Sequence, residues 1–350
     1  FFPRPPIFSK TAAVVLFPAL WYYSSNFLQL IFFIPGVGFM DQMTAMVLER
    51  VHDLRQTDTP LACRQVPIPQ PGDHEILIRV TACGVCHTEL DEIEGRTSPP
   101  RFPVVPGHEV VGRVTGMGAG ARRFSDGQRV GVAWIHRACG RCSFCREGLE
   151  NLCPEFAATG RDAHGGYAGY MTVHEDFAFP VPDCFSDVQA APLFCAGAIG
   201  YRSMSLCNLC DGQRLGLTGF GASAHLVLKM VRHLFPQATV CVFARSPGER
   251  EFARSLGAVW AGDTKETAPH PLDCIIDTTP AWTPVVEALR NLAPGGRLVI
   301  NAIRKEASDQ KALLYLDYPT HLWQEKEIKS VANVARSDVA RFLELAERIP

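Results

Sequence analysis

Excess charge of either sign is missing from this chain: 34 Lys and Arg stand against 36 Asp and Glu, a formal net charge of −2. So even a balance gives no reason to expect a nucleic-acid or polyanion partner. Internal repeats are absent, and no low-complexity tract follows the first 40 residues. With 47% hydrophobic and 20% charged residues, the chain is neither mainly disordered, nor a collagen, nor a coiled coil. At roughly 100–200 residues per domain, its 350 residues suggest two domains.

One stretch lacks charge altogether. Between Lys10 and Asp41 there is no charged residue, and Thr11–Met40 exceeds the roughly 20 residues of a membrane span. Its length, with Arg4 and Lys10 in front, allows a transmembrane anchor. A signal peptide would need a small-residue cleavage site, which is missing, and sits poorly with a thiol-rich body. The third reading is a leader outside the working fold: Phe1 is not Met, Pro18 and Pro35 interrupt the run, and Met40, Met43 and Met46 each offer a start. We take residues 1–40 as such an apolar leader, with the anchor as the alternative.

Cysteine, by contrast, is abundant, at thirteen. Four crowd into Cys139–Cys153, and others, such as Cys241 and Cys274, are scattered singly through apolar runs. That usage points to a reducing compartment, the cytoplasm, rather than a disulfide framework.

Residues 41–190 are rich in Val, Gly and Pro with short alternating runs. Glu75–Thr81 and Val110–Val114 read as strands, and Asp126-Gly127 as a turn. From Gln213 the texture changes. Strands are expected at Arg214–Thr218, Thr239–Ala244, Leu272–Asp277 and Arg297–Asn301, the last after a Pro294-Gly295-Gly296 turn. Helices are expected between them at Ala222–Leu234, Glu249–Leu256 and Trp282–Leu292. Such alternation makes a parallel sheet covered by helices on both faces. Ser337–Ile349 reads as an amphipathic helix with Val339, Phe342, Leu343, Leu345 and Ala346 on one side. The fold class is therefore α/β with a β-rich second domain.

Three motifs carry chemistry. Cys139, Cys142, Cys145 and Cys153 follow C-x2-C-x2-C-x7-C, and Gly140 and Gly148 let a tight loop close around an ion. Four thiolates at about 2.3 Å fill a tetrahedral zinc and leave no open position, so such a site is structural. An iron–sulfur cluster also takes four Cys, and unligated thiols are the remaining reading. Cys207 and Cys210 share the C-x-x-C spacing but have no partner pair and read as helix-end packing. The second motif is dispersed. Cys86 in CGVCHTEL, His108 in GHE and Cys195 in FCAG would give zinc three ligands and an open fourth position, the mark of a catalytic site. Taken singly, each reads as an ordinary core or surface residue.

The third motif, Leu215–Ala222, ends a strand and opens a helix, the setting in which a glycine turn cradles a pyrophosphate. Gly216 and Gly221 stand at the ends of G-x-G-x-x-G, with Thr218 in place of its second glycine. Gln213, Gly216, Gly219, Phe220 and Gly221 would lie near the diphosphate; a plain strand–helix turn is the alternative. The next strand ends Phe243-Ala244-Arg245-Ser246, with Arg250 close by and no carboxylate for a ribose 2′-hydroxyl. A small residue followed by arginine favours the 2′-phosphate of NADP over NAD.

Together these residues resemble the medium-chain, zinc-dependent alcohol dehydrogenase family, from about Met43 to the end of the chain. The resemblance rests on CGVCHTEL, GHEVVG, the four-Cys loop, the CAG turn, the glycine turn and their order. It implies a GroES-like catalytic domain over 41–190, joined by 332–350, and a Rossmann domain over 191–331, with the active site in the cleft between them. Relatives continue past residue 350 with a strand–helix–strand, so that catalytic domain would be cut short. Cys86, His108 and Cys195 match the catalytic zinc ligands, and Glu109 a carboxylate that can approach the metal. Thr88 matches the hydroxyl that passes the substrate proton, and His87 a contact to the pyrophosphate. Cys139, Cys142, Cys145 and Cys153 match the structural zinc, giving two zinc ions per chain beside NADP or NAD.

Two positions depart from the family pattern. Asp91 stands where many relatives end the proton relay with His, so it either accepts the proton, or leaves the relay to water, or is simply a first-turn acid. Ile199 stands where relatives often have Thr. The implied reaction is reversible oxidation of a primary or secondary alcohol to an aldehyde or ketone by a dimer or tetramer. A polyol or other specialised dehydrogenase, and a non-catalytic zinc-stabilised binding protein, are the alternatives.

Overall fold

The structure, a computed structural model, describes residues 13–16 and 42–349. The chain divides into two units.

The β-rich unit takes 13–16, 42–140 and 153–194. Its organiser is the eleven-residue strand Glu75–Val85, in which Ile76, Ile78 and Val80 alternate into the core. One edge pairs antiparallel with Glu109–Met117, followed outward by Arg129–Val132 and Ala178–Pro180. The other edge is shared by two strands: Tyr170–His174 pairs with its first half and Ala13–Leu16 with its last residues, Ala82 to Val85. The strand therefore runs past the expected end at Thr81, because the backbone of Ala82–Gly84 finds partners on both sides and Val85 on one. The same pairing corrects the expectation that residues 1–40 stand outside the fold: Ala13–Leu16 is a strand of this sheet. The rest of that expected leader lies outside the described residues. Among the described residues no helix is long and apolar enough to cross a membrane.

The second unit takes Arg141–Leu152 and the chain from Cys195 onward. Six parallel strands lie in the order Trp260–Gly262, Thr239–Phe243, Arg214–Thr218, Leu272–Asp277, Leu292–Ile300, Glu327–Ser330. Counted along the chain this is 3-2-1-4-5-6, the doubly wound Rossmann order. Leu215, Leu217, Val242, Ile275, Ile276 and Leu298 are fully buried between the helical layers. The helix Ala222–Leu234 and the strands Arg214–Thr218 and Leu272–Asp277 fall where the sequence puts them. The expected Pro294–Gly296 turn is instead a bulge inside a longer strand: pairing jumps from Leu272 opposite Leu292 to Cys274 opposite Arg297, with Gly295 at φ 68°.

Two segments expected with the β-rich domain belong to this unit. Arg141–Leu152 is tied by Asn151 Nδ2, which donates to the Ala332 carbonyl at 2.7 Å, and by Glu150, which pairs with Arg336 at 2.8 Å. The helix Arg336–Ala346 buries Val339, Phe342, Leu343, Leu345 and Ala346. Its Asp338 meets Arg202, on the helix Ala196–Cys207, at 2.6 Å. Phe342 fits only because Gly197 has no side chain: a Cβ there would lie 2.1 Å from the ring. Gly197→Ala should therefore cost about 1–3 kcal/mol in urea unfolding, and adding Phe342→Leu should recover part of it. A double variant that loses the sum of both single effects would refute the clash.

Candidate metal centres and dinucleotide turn

The sequence CGVCHTEL turns from strand to helix at Cys86. The residue caps the helix His87–Ile93, its backbone extended and its Sγ accepting the Thr88 N–H at 3.3 Å. Glu89, three residues after Cys86 and 1% exposed, completes a capping box: its Oε2 accepts the Cys86 N–H at 2.9 Å. Its other oxygen lies 2.5 Å from His108 Nδ1. That leaves His108 Nε2 toward Cys86 Sγ, 3.6 Å away. Burial works against the charge on both partners of the pair, but their mutual attraction wins: the Glu89 carboxyl is held below its ordinary value and His108 is pushed up. Glu109 follows directly, 1% exposed, in space that Gly84 leaves open, where a Cβ would lie 1.8 Å from its Oε2. One ligand atom each from Cys86, His108 and Glu109 lie within 4.8 Å of one another.

The neighbouring positions differ in fate. Thr88 is half-buried and His87 exposed. Asp91 is buried and paired with Arg96 at 2.6 Å, so its carboxylate serves a local ion pair. Cys195 caps the helix Ala196–Cys207 directly after Phe194, and Ile199 lies in that helix.

The four-cysteine loop has its backbone aimed at sulfur. Cys153 Sγ accepts the N–H of Cys139 at 3.4 Å and of Glu155 at 3.3 Å. Cys142 Sγ caps the short helix Ser143–Arg146, accepting the Cys145 N–H at 3.5 Å. Gly140 and Gly148 both take φ 72°, as a tight loop requires.

In the second unit the strand ends at Thr218, and Gly219, at φ 76°, makes the turn into the helix Ala222–Leu234, which Gly221 caps. Nothing lies within 4 Å of where a Gly221 Cβ would be, so the backbone is open to a ligand. The fingerprint therefore runs Gly219-x-Gly221-x-x-Ala224, with the buried Ala224 as its last small residue. Gly216 is not part of it. It lies inside the strand, where a Cβ would come 2.8 Å from Leu272 and 3.0 Å from Ile275. Thr218 is likewise the strand's last residue rather than a substituted second glycine. Phe220 is buried against Phe252, 5.7 Å between ring centroids. At the end of the next strand Ala244 is buried, while Arg245 and Ser246 are exposed and Ser246 precedes the helix Pro247–Ser255. Arg250 braces this loop, donating to the Ala244 carbonyl at 3.1 Å and to Asp263 at 3.3 Å.

Comparison with known proteins agrees with this geometry. Residues 72–183 match the model of the alcohol dehydrogenase GroES-like domain. The "probable alcohol dehydrogenase AdhA" of Mycobacterium tuberculosis (strain CDC 1551 / Oshkosh) is 42% identical over 292 residues, 82% of this chain and 82% of its own. The chain belongs to the zinc-dependent, medium-chain alcohol dehydrogenase family. Among solved structures, a cinnamyl alcohol dehydrogenase (SbCAD4) from Sorghum bicolor superposes with TM-score 0.73 at 28% identity over 88% of each chain. A zinc-binding dehydrogenase from Sinorhizobium meliloti 1021, bound to NADP, does so with TM-score 0.77 at 26% identity, over 89% of this chain and 90% of its own. The family carries the reaction class, an NAD(P)-dependent oxidoreductase that uses zinc.

This member's residues fit both groups. Ligands at about 2.3 Å and about 2.05 Å from a tetrahedral zinc would stand about 3.6 Å apart, which is the Cys86 Sγ–His108 Nε2 distance of 3.6 Å. A histidine ligand normally gives its second nitrogen to a carboxylate, and Glu89 stands where such a carboxylate would, 2.5 Å from His108 Nδ1. The sequence reading gave Glu89 no role. The available signal was its position three residues after Cys86, where a helix start returns an acid to its cap. Ala224 was missed because the fingerprint was framed three residues early.

Behind Glu89 in the same helix, Glu92 is 1% exposed, and burial, followed by the charge of Glu89, pushes its carboxyl from 4.5 up to about 8. The native state therefore keeps a proton that the unfolded chain releases, a penalty absent below about pH 4, growing between, and full above about pH 8. Glu92→Gln should stabilise the fold by on the order of a few kcal/mol at the alkaline end and by nothing in acid. Melting curves from about pH 4 to about pH 9 check this, and equal stability of the two proteins at the alkaline end would contradict it.

Proposed function

We propose that the chain reversibly oxidises primary or secondary alcohols, with NADP preferred to NAD, at a zinc held by Cys86, His108 and Cys195, with Glu109 as an approaching carboxylate. A second, structural zinc sits on Cys139, Cys142, Cys145 and Cys153. The observation that carries this reading is the 3.6 Å approach of Cys86 Sγ to His108 Nε2 with Glu89 behind the imidazole. Support also comes from the donor sets, each of a composition that could hold a metal ion. When bound, zinc would supply Lewis acidity and the nicotinamide a hydride acceptor. Glu89 fixes the His108 ring so that Nε2 is the nitrogen offered. Thr88 takes the hydroxyl proton of the substrate. Asp91, engaged by Arg96, is not its next stop, so the proton leaves to water. Gly219 and Gly221 admit the diphosphate to the helix N-terminus, with His87 as a further contact, and Arg245 and Ser246 receive the 2′-phosphate. Arg250 supports them by holding the Ala244 carbonyl.

The test is zinc analysis with alcohol oxidation on the same protein. Two zinc per chain are expected, falling to one in Cys86→Ala together with a loss of at least about 1,000-fold in kcat/KM. Full oxidation by Cys86→Ala would overturn the assignment, and one zinc without turnover would favour the binding-protein reading. Arg245→Ala should raise the KM for NADP at least about tenfold and leave NAD unchanged. Equal or better use of NAD by the parent protein would overturn the cofactor choice. Turnover confined to polyols would favour the specialised-dehydrogenase reading.

We further propose a homo-oligomer working in the cytoplasm. The sheet's edge strand Glu327–Ser330 is exposed throughout, and Leu314, Tyr315, Tyr318, Trp323 and Ile328 are exposed in the same unit. Among the described residues, which include all thirteen cysteines, no disulfide joins any pair, as a reducing compartment favours. Light scattering should give two or four times the 38.5 kDa chain mass, and a monomer at micromolar concentration would exclude the oligomer.

A further inference from the structure

The carboxyl ends of the two strands where the sheet order reverses carry a buried ion pair that the fingerprint does not require. Asp277, the last residue of Leu272–Asp277, is 0% exposed. Its Oδ1 accepts the Thr218 hydroxyl at 2.6 Å, the Thr279 hydroxyl at 2.7 Å and the Thr279 N–H at 3.2 Å. Its Oδ2 takes the ammonium of Lys305. Lys305 also donates to the carbonyls of Thr279 at 2.8 Å and Ala281 at 3.1 Å, so each ammonium hydrogen has an acceptor. Its side chain is 9% exposed.

This pair is coupled to the glycine turn through Thr218 and the loop after Asp277. Thr278 returns to the Thr218 carbonyl with both its N–H and its hydroxyl, each at 3.0 Å. Gly219 rests on the same loop: a Cβ there would lie 2.9 Å from Thr278 Oγ1 and 2.9 Å from Thr279 Cγ2. Lys305 follows the strand Leu292–Ile300, so its ammonium ties the loop after that strand to the end of Leu272–Asp277, and Asp277 in turn holds Thr218 of the neighbouring strand. Burying two charges costs solvation and is seldom the most stable filling of a core. What the pair adds is direction: a lysine can hold a carboxylate and two carbonyls at once, where an apolar residue would leave all three without donors.

We propose that Lys305 is a positioning residue for dinucleotide binding, fixing through Asp277 and the carbonyls of Thr279 and Ala281 the floor on which the Gly219 turn sits. This rests on the reading of Gly219–Ala224 as the dinucleotide turn. NADPH is titrated into the zinc-loaded full chain without substrate, following nicotinamide fluorescence. Lys305→Met combined with Asp277→Asn removes both charges and keeps the fold neutral. It should bind NADPH at least tenfold more weakly, with zinc content kept, KM for cofactor raised in proportion, and kcat at saturating cofactor within threefold of the parent. Lys305→Arg should stay within threefold of the parent in affinity. Thr218→Val, which removes only the hydroxyl held by Asp277, should weaken binding severalfold. Parental affinity in both the double variant and Thr218→Val would overturn the role of Lys305. Failure of the parent protein itself to bind any nicotinamide dinucleotide would instead overturn the reading of the turn.

Discussion

A buried carboxylate governs the candidate metal centre of the β-rich unit. Glu89 accepts a backbone N–H from Cys86 with one oxygen and faces His108 with the other. One residue thus starts a helix, aims a thiol and orients an imidazole. The arrangement is economical in chain length, since cap and orienting acid are three positions apart, but strict in chemistry. Glutamine would keep the cap and lose the charge beside His108. Alanine would expose two donors to a dry interior, which costs more than the hydrogen bonds themselves contribute. The glycines around the centre are part of the same constraint. Gly84 leaves room for Glu109, and Gly107, at φ 99°, passes beneath Tyr167, whose hydroxyl returns to the Gly84 carbonyl at 3.2 Å.

The parallel-sheet unit is governed by topology rather than by one acid. Sheet order 3-2-1-4-5-6 places the ends of Arg214–Thr218 and Leu272–Asp277 side by side, with Thr218 in register with Asp277. A parallel sheet leaves its terminal backbone groups facing the same way, and this chain meets that demand with side chains: two threonine hydroxyls, a carboxylate and an ammonium. The threonine that spoils a glycine fingerprint when read along the sequence is, in space, the strand's last hydrogen-bonding residue.

Much of this was legible beforehand. The βα alternation gave the parallel sheet, because continuous apolar strands between amphipathic helices admit few other packings. Metal-ligand chemistry singled out Cys86, His108 and the four loop cysteines as candidates, and the fold brings Cys86 Sγ to within 3.6 Å of His108 Nε2. What stayed hidden depends on register or distance. Gly216 and Gly219 look alike in sequence, and only the strand's end point separates a packed glycine from a turning one. Nothing in the sequence announces that Asp91 pairs with Arg96. Lys305 lies 28 residues from Asp277 and has no local signature at all. Glu150 and Arg336 likewise declare nothing about each other until the chain is folded.

That last pair has a bearing on how the protein is made. Glu150 meets Arg336 across 186 positions, and Asn151 meets Ala332 across 181. On a ribosome, at about 5–20 residues per second, the segment that carries Cys142 and Cys145 emerges well before either partner exists. For that interval two soft nucleophiles stand on nascent chain without their tether, open to stray oxidants and to whatever metal is at hand. The docking of the segment is thus a late, vectorial event, and its fidelity depends on how quickly the remaining polypeptide follows.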